Sequence, residues 1–230
     1  AIGIKVEKRL SIDFFQETPM DSTARSIAEI LLSIKAVTLS TNPPYTWTSG
    51  IKAPIYCDNR LLISFPKERQ EIIDSFKKLI TANNLEFDVI GGTATAAIPW
   101  AAFLAYELGK PMVYIRPEPK GHGAGKQVEG TMAKNSRVLI VEDLISTGGS
   151  SIRSAEACTR EYDAPIAGVI AIFTYEMQKA KDAFAAAKIP YYTLSSFSTL
   201  IELATEKKYL KPEDKASVLS WSANPSAWGV

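Results

Sequence analysis

Residues 137–151 read Arg-Val-Leu-Ile-Val-Glu-Asp-Leu-Ile-Ser-Thr-Gly-Gly-Ser-Ser. The apolar run 138–141 predicts a buried strand, which stops at two adjacent carboxylates, Glu142 and Asp143. A loop of Ser146, Thr147, Gly148, Gly149, Ser150 and Ser151 follows. Beyond it, Ile152, Ala155 and Cys158 are spaced for the buried face of a helix. Glycines permit backbone dihedrals that turn several N–H groups into one concavity. The start of the next helix adds the positive end of its dipole, and the hydroxyls add donors. Such a loop suits a phosphate. Carboxylates repel phosphate, so the acids must touch something else on the same ligand, either sugar hydroxyls or a bound divalent metal. A phosphorylated sugar meets both demands. A plain strand–turn–helix crossover with a Ser/Gly cap explains the turn but leaves the two acids without a reason.

The pattern on either side is regular. Strands are expected at 87–90, 112–115, 138–141, 166–173 and 191–194. Helices are expected at 66–82, 97–108, 150–162, 176–187 and 198–207. An earlier helix, capped by Asp21 or Ser22, carries Ile27, Ile30, Leu31 and Ile34 on one face. Short, wholly apolar strands alternating with amphipathic helices predict an α/β fold, a mostly parallel central sheet flanked by helices on both faces. Ligands of such sheets sit at the carboxyl ends of the strands.

Composition bounds the function classes. The 230 residues are 46% hydrophobic, with a formal net charge of +1. Near-neutral charge gives no reason to expect nucleic acid or a membrane surface as partner. No apolar run approaches a membrane span, and no secretory signal is visible, so a cytoplasmic location is expected. Cys57 and Cys158 lie far apart without Cys or His companions, which supports neither a zinc site nor a disulfide framework. Residues 1–15 show no clear pattern.

Segment 137–151 resembles the 5-phosphoribosyl 1-pyrophosphate (PRPP) binding motif of the type I phosphoribosyltransferases: an apolar strand, two acids, then a Thr/Ser/Gly loop. The resemblance implies that Glu142 and Asp143 contact the ribose hydroxyls. It also implies that the run Leu144, Ile145, Ser146, Thr147, Gly148, Gly149 and Ser150 holds PRPP through its 5-phosphate.

Three further constellations extend it. Residues 88–99 run from a buried strand into Gly91-Gly92, small residues and a helix start. By themselves they fit tight strand–helix packing as well as an anion site; within the family the pyrophosphate loop falls here, with Ala96 where some relatives have lysine. Residues 114–130 place Arg116, Lys120 and His122, the sole histidine, among four glycines between 121 and 130. A cationic, glycine-rich loop suits a lid that closes over a charged substrate. It resembles the catalytic loop of the orotate phosphoribosyltransferases, with Pro117 and Glu118 departing from the family pattern. The third, residues 46–60, sets Trp47 and Tyr56 near Lys52 and Arg60, as suits a flat anionic ring. Composition alone also allows an irregular, aromatic-packed lobe. Its Ser49-Gly50-Ile51-Lys52-Ala53-Pro54-Ile55-Tyr56 segment is similar to the hood over the base in the same family.

The resemblance, spanning roughly residues 21–228, implies a type I phosphoribosyltransferase-like fold. A single domain would cover residues 1–230, with 21–64 as an N-terminal hood and 117–133 as a mobile catalytic loop. Its implied reaction joins orotate and PRPP to give orotidine 5-monophosphate and pyrophosphate. Lys120, His122, Arg116 and Asp143 would be catalytic. Ser146, Ser49, Gly50, Lys52, Tyr56 and Arg60 would contact orotate. Mg2+ would be held mainly by PRPP, with no direct side-chain ligand. A homodimer sharing the loop between subunits is implied by likeness alone. Another base, purine or uracil, and a PRPP-sensing regulator remain as alternatives.

Overall fold

Buried apolar strands do dominate the centre of the molecule. The computed structural model describes residues 19–119 and 125–228. Its first elements are α1 (Pro19–Ser33), β1 (Val37–Leu39), β2 (Tyr45–Thr46), β3 (Lys52–Ala53) and β4 (Ile55–Cys57). A 3-10 helix (Asn59–Ser64), α2 (Pro66–Ala82), β5 (Val89–Thr93), α3 (Ile98–Leu108), β6 (Met112–Ile115) and β7 (Val128–Glu129) follow. Then come β8 (Val138–Ile145), α4 (Gly149–Tyr162), β9 (Ile166–Thr174), α5 (Gln178–Ala187), β10 (Tyr191–Ser196) and α6 (Phe197–Glu206). A second 3-10 helix (Pro212–Asp214) leads into α7 (Lys215–Trp221).

The main sheet has the order β10-β9-β8-β5-β6-β7, parallel except for β7, which runs antiparallel to β6. Alternation along each strand builds two cores. Val138, Ile140, Val169 and Ala171 pack on one face with Ala155 and Cys158 of α4 and Phe184 of α5. Leu139, Val141, Ile170 and Ile172 pack on the other with Leu31, Phe76, Trp100 and Leu200 from α1, α2, α3 and α6. Each such buried aliphatic side chain stabilises the fold by roughly 1.5–3 kcal/mol. Sheet and helices therefore stand as the apolar pattern predicts.

Three boundaries differ. Strand β8 continues through the acids to Ile145, with Leu144 opposite Phe173 and Ile145 opposite Thr174; it does not stop at Glu142. Helix α1 starts at Pro19, a residue whose fixed φ and missing N–H suit the first helical position. Helix α5 starts at Gln178, because Glu176 adopts a left-handed φ of 57° and its N–H bonds the Thr174 hydroxyl at 3.0 Å. The Glu176 carboxylate instead accepts the Ser198 N–H in the first turn of α6 at 2.7 Å.

The span 21–64 is not a single lobe. Helix α1 packs on β10 and α6, beside the sheet. The overhanging part consists of two antiparallel pairs, β1 with β4 and the hairpin β2–β3. Within 117–133, β7 is a paired strand, with Tyr114 opposite Glu129 and Ile115 opposite Val128. That end of the expected loop is fixed further by Glu161, which accepts the N–H groups of Gln127 and Val128 at 2.7 and 3.2 Å.

Candidate active site

Because β8 outruns its neighbour β5, the acidic pair emerges at the carboxyl edge of the sheet. Glu142 is only 4% exposed. A lone buried carboxylate is costly, and the following helix supplies its partners. Ser150 and Ser151 donate their hydroxyls to Glu142 Oε2 at 2.9 and 3.0 Å, and the Asp143 N–H reaches Oε1 at 3.2 Å. Burial first, and the neighbouring Asp143 charge second, push the Glu142 carboxyl up to about 8; the two serine hydroxyls act in the opposite direction. Burial raises Asp143 as well. The Asp143 carbonyl accepts Nδ2 of buried Asn59 at 2.7 Å, which ties the 3-10 helix to the acid pair.

The loop 146–150 turns into α4 at Gly148, whose φ of 78° is left-handed. A Cβ there would stand 2.9 Å from the Phe184 ring, so both backbone and packing require glycine. The first amides of α4 have no carbonyl of their own helix to donate to. They and the Thr147 side chain lie together where the sequence pattern leads one to expect a phosphate. Ser150 departs from that expectation in part: its hydroxyl is spent on Glu142, which leaves its backbone for an anion. Arg153, which the sequence reading passed over, lies one turn on; its Nη1 is 3.1 Å from where a Gly149 Cβ would stand. A cation one helical turn beyond a glycine-rich loop was the signal available.

Gly92 has a packing role. A Cβ there would stand 2.8 Å from Ala101 Cβ, so α3 seats directly on β5. Tight strand–helix packing accounts for this glycine.

Beside the phosphate loop opens a cavity of ≈ 450 Å³ whose walls include Thr46, Trp47, Ser49, Tyr56, Ser146 and Tyr175. Ser49, Tyr56 and Ser146, predicted from sequence, thus come together around one space. Gly50 makes the hairpin turn behind it, with φ 84°. Lys52 is not among the lining residues; its Nζ donates to Oγ1 of the wall residue Thr46 at 2.7 Å. Arg60 does not line the cavity; its guanidinium closes on Asp58 at 2.6 Å. Trp47 and Tyr175 sit 5.2 Å apart between ring centroids, tilted by 37°. Tyr175 is almost fully buried, and that burial holds its phenol protonated well above the ordinary range. It was missed as a site residue, since position 175 lies far from the hood in sequence.

Arg116 follows β6 at the sheet edge, its Nη1 3.5 Å from Glu129 Oε1. Lys120 and His122 lie outside the described residues. Among the described residues no cluster of three or more His, Cys, Asp or Glu side chains forms. A larger groove of ≈ 680 Å³ between α1 and α2 carries Glu71 and Asp74 in its lining.

The Phosphoribosyl transferase domain family matches residues 64–190, more than half of the chain. The orotate phosphoribosyltransferase of Cutibacterium acnes is 48% identical over 205 residues, which span 89% of this chain and 94% of that one. That of Listeria innocua is 48% identical over 208 residues, 90% of this chain and 99% of that one. The crystal structure of orotate phosphoribosyltransferase from Aeropyrum pernix superposes with a TM-score of 0.68 at 28% identity, covering 76% of this chain and 96% of that one. A donor-rich loop at the start of α4, a buried acid pair and an aromatic slot joined at Ser146 thus occur in a chain that, by these likenesses, belongs to the orotate phosphoribosyltransferase family.

Proposed function

We propose that this protein transfers the 5-phosphoribosyl group of PRPP to orotate, giving orotidine 5-monophosphate and pyrophosphate in pyrimidine synthesis. The observation that carries the reading is the position of Ser146. It belongs both to the loop entering α4 and to the wall of the aromatic cavity, so a ribose 5-phosphate and a flat base can lie in adjoining spaces.

The chemistry needs no covalent nucleophile. As pyrophosphate leaves, positive charge grows on the ribose ring and negative charge on the leaving group. Catalysis then rests on positioning and electrostatic complementarity. Glu142 and Asp143 hold the ribose hydroxyls and face the growing positive charge. The α4 amides, Thr147 and Arg153 anchor the 5-phosphate. Arg116, Lys120 and His122 offset charge on the departing pyrophosphate. Trp47 and Tyr175 flank the base, with Ser49, Tyr56, Ser146 and Lys52 as its polar neighbours. Two adjacent carboxylates lacking a buried cation between them are hard oxygen donors compatible with Mg2+ carried in on PRPP, and that ion would screen the pyrophosphate charge.

We further propose a homodimer in the cytoplasm. Family likeness supports the pairing. No helix among the described residues is long and apolar enough to cross a membrane. A panel of orotate, uracil, adenine, hypoxanthine and guanine, each with PRPP and Mg2+, tests the substrate reading. Orotate alone should release pyrophosphate; release with a purine and none with orotate overturns it.

A further inference from the structure

The wall of the base cavity is held from behind by the far end of the chain. Trp221, at the end of α7, is fully buried. Its ring meets Trp47 edge-on at 5.3 Å and Tyr175 at 5.4 Å, the two aromatic walls of the cavity. A third contact, to Phe197 at 5.3 Å, seats it on the first residue of α6. Its Nε1 donates to the Lys52 carbonyl at 3.0 Å. Lys52 pairs with Thr46 across the β2–β3 hairpin, and the turn of that hairpin carries Trp47 and Ser49.

A leucine would fill apolar space at this point. Only an indole both packs against the two rings and satisfies a backbone carbonyl of the hairpin. The Thr41 hydroxyl adds a second tie to the C-terminal segment, donating to Asp214 Oδ2 at 3.1 Å. The hairpin itself is two residues per strand, too short to hold its own position.

We infer that Trp221 is a positioning residue for the base: through Lys52 and the Trp47 and Tyr175 rings, the C-terminal helix sets the width of the slot. This rests on the reading that the cavity takes the base. It assigns Trp221 no contact with PRPP, so the two substrates separate in a kinetic test.

Trp221→Phe, Trp221→Leu and Thr41→Val should be assayed beside the parent with orotate and PRPP varied in turn. Trp100→Phe serves as the control, because Trp100 is equally buried, has no partner for its Nε1 among the described residues and lies outside the cavity wall. For Trp221→Phe the KM for orotate should rise about three- to tenfold, the effect of one lost hydrogen bond. Trp221→Leu should raise it further, and Thr41→Val less. The KM for PRPP and kcat should stay within about twofold, and Trp100→Phe should lower the melting temperature without moving the orotate KM. Unchanged orotate KM in Trp221→Phe, or equal shifts for both substrates, overturns the inference. Should Trp221→Leu fail to fold, Trp221→Phe and Thr41→Val decide the matter. A parent that consumes no orotate sinks the base assignment instead, which keeps the two failures apart.

Discussion

Ser151 donates its hydroxyl to Glu142 Oε2 at 3.0 Å, in a place where the serine is fully buried and the glutamate nearly so. A strand residue and a helix residue thereby lock together across the loop entering α4, fixing the position of the acid. The raised Glu142 carboxyl follows from its dry surroundings.

The first prediction concerns stability against pH. Below the ordinary carboxyl value of 4.5, Glu142 is protonated in both folded and unfolded chains. Between there and about 8 the unfolded chain releases its proton while the folded one keeps it, so folding weakens as pH rises through that window. Glu142→Gln should remove this slope and raise the melting temperature of the ligand-free protein at pH 8 by about 2–4 °C per kcal/mol recovered. Ser151→Ala should extend the slope to higher pH, since it removes a donor that favours the charged form. Thermal melts from pH 5 to pH 9 check both; parallel curves for parent and Glu142→Gln contradict the assignment.

Gly148→Ala should damage fold and phosphate site together. The φ of 78° costs an alanine about 1–2 kcal/mol, and its Cβ would press on Phe184 at 2.9 Å. A lower melting temperature with a raised KM for PRPP is expected. A variant with both values unaltered would mean that the turn relaxes without consequence.

Lys120→Ala should lower kcat by roughly 10²–10³-fold, as when a well-placed electrostatic group is lost from a closed site. Steady-state assays under saturating substrates check it. A variant within about threefold of the parent would remove Lys120 from the catalytic set.

The sheet and the loop entering α4 were legible because their signals are local. Apolar runs, glycines and hydroxyls within 137–151 specify strand, turn and helix in a single stretch. The end of β8 was misread for a physical reason: two acids after four apolar residues resemble a strand terminus. Ser150 and Ser151, from the next element, allow the strand to continue by satisfying Glu142. The start of α5 was misread because Glu176 serves α6 from outside its own helix. The aromatic cavity was half visible. Ser49 and Tyr56 sit in one recognisable segment, but Tyr175 and Trp221 reach it through contacts between distant parts of the chain, which no local pattern encodes. Arg60 pairs with Asp58 and stands outside the lining of the cavity.

The central claim is that a ribose phosphate held at α4 meets orotate in the adjoining slot. Its most direct test follows orotate by ultraviolet absorbance with PRPP and Mg2+ present, alongside pyrophosphate release. Absorbance should fall only when all three components are supplied, with one pyrophosphate appearing per orotate consumed. Folded protein that binds PRPP yet leaves orotate untouched would contradict the account.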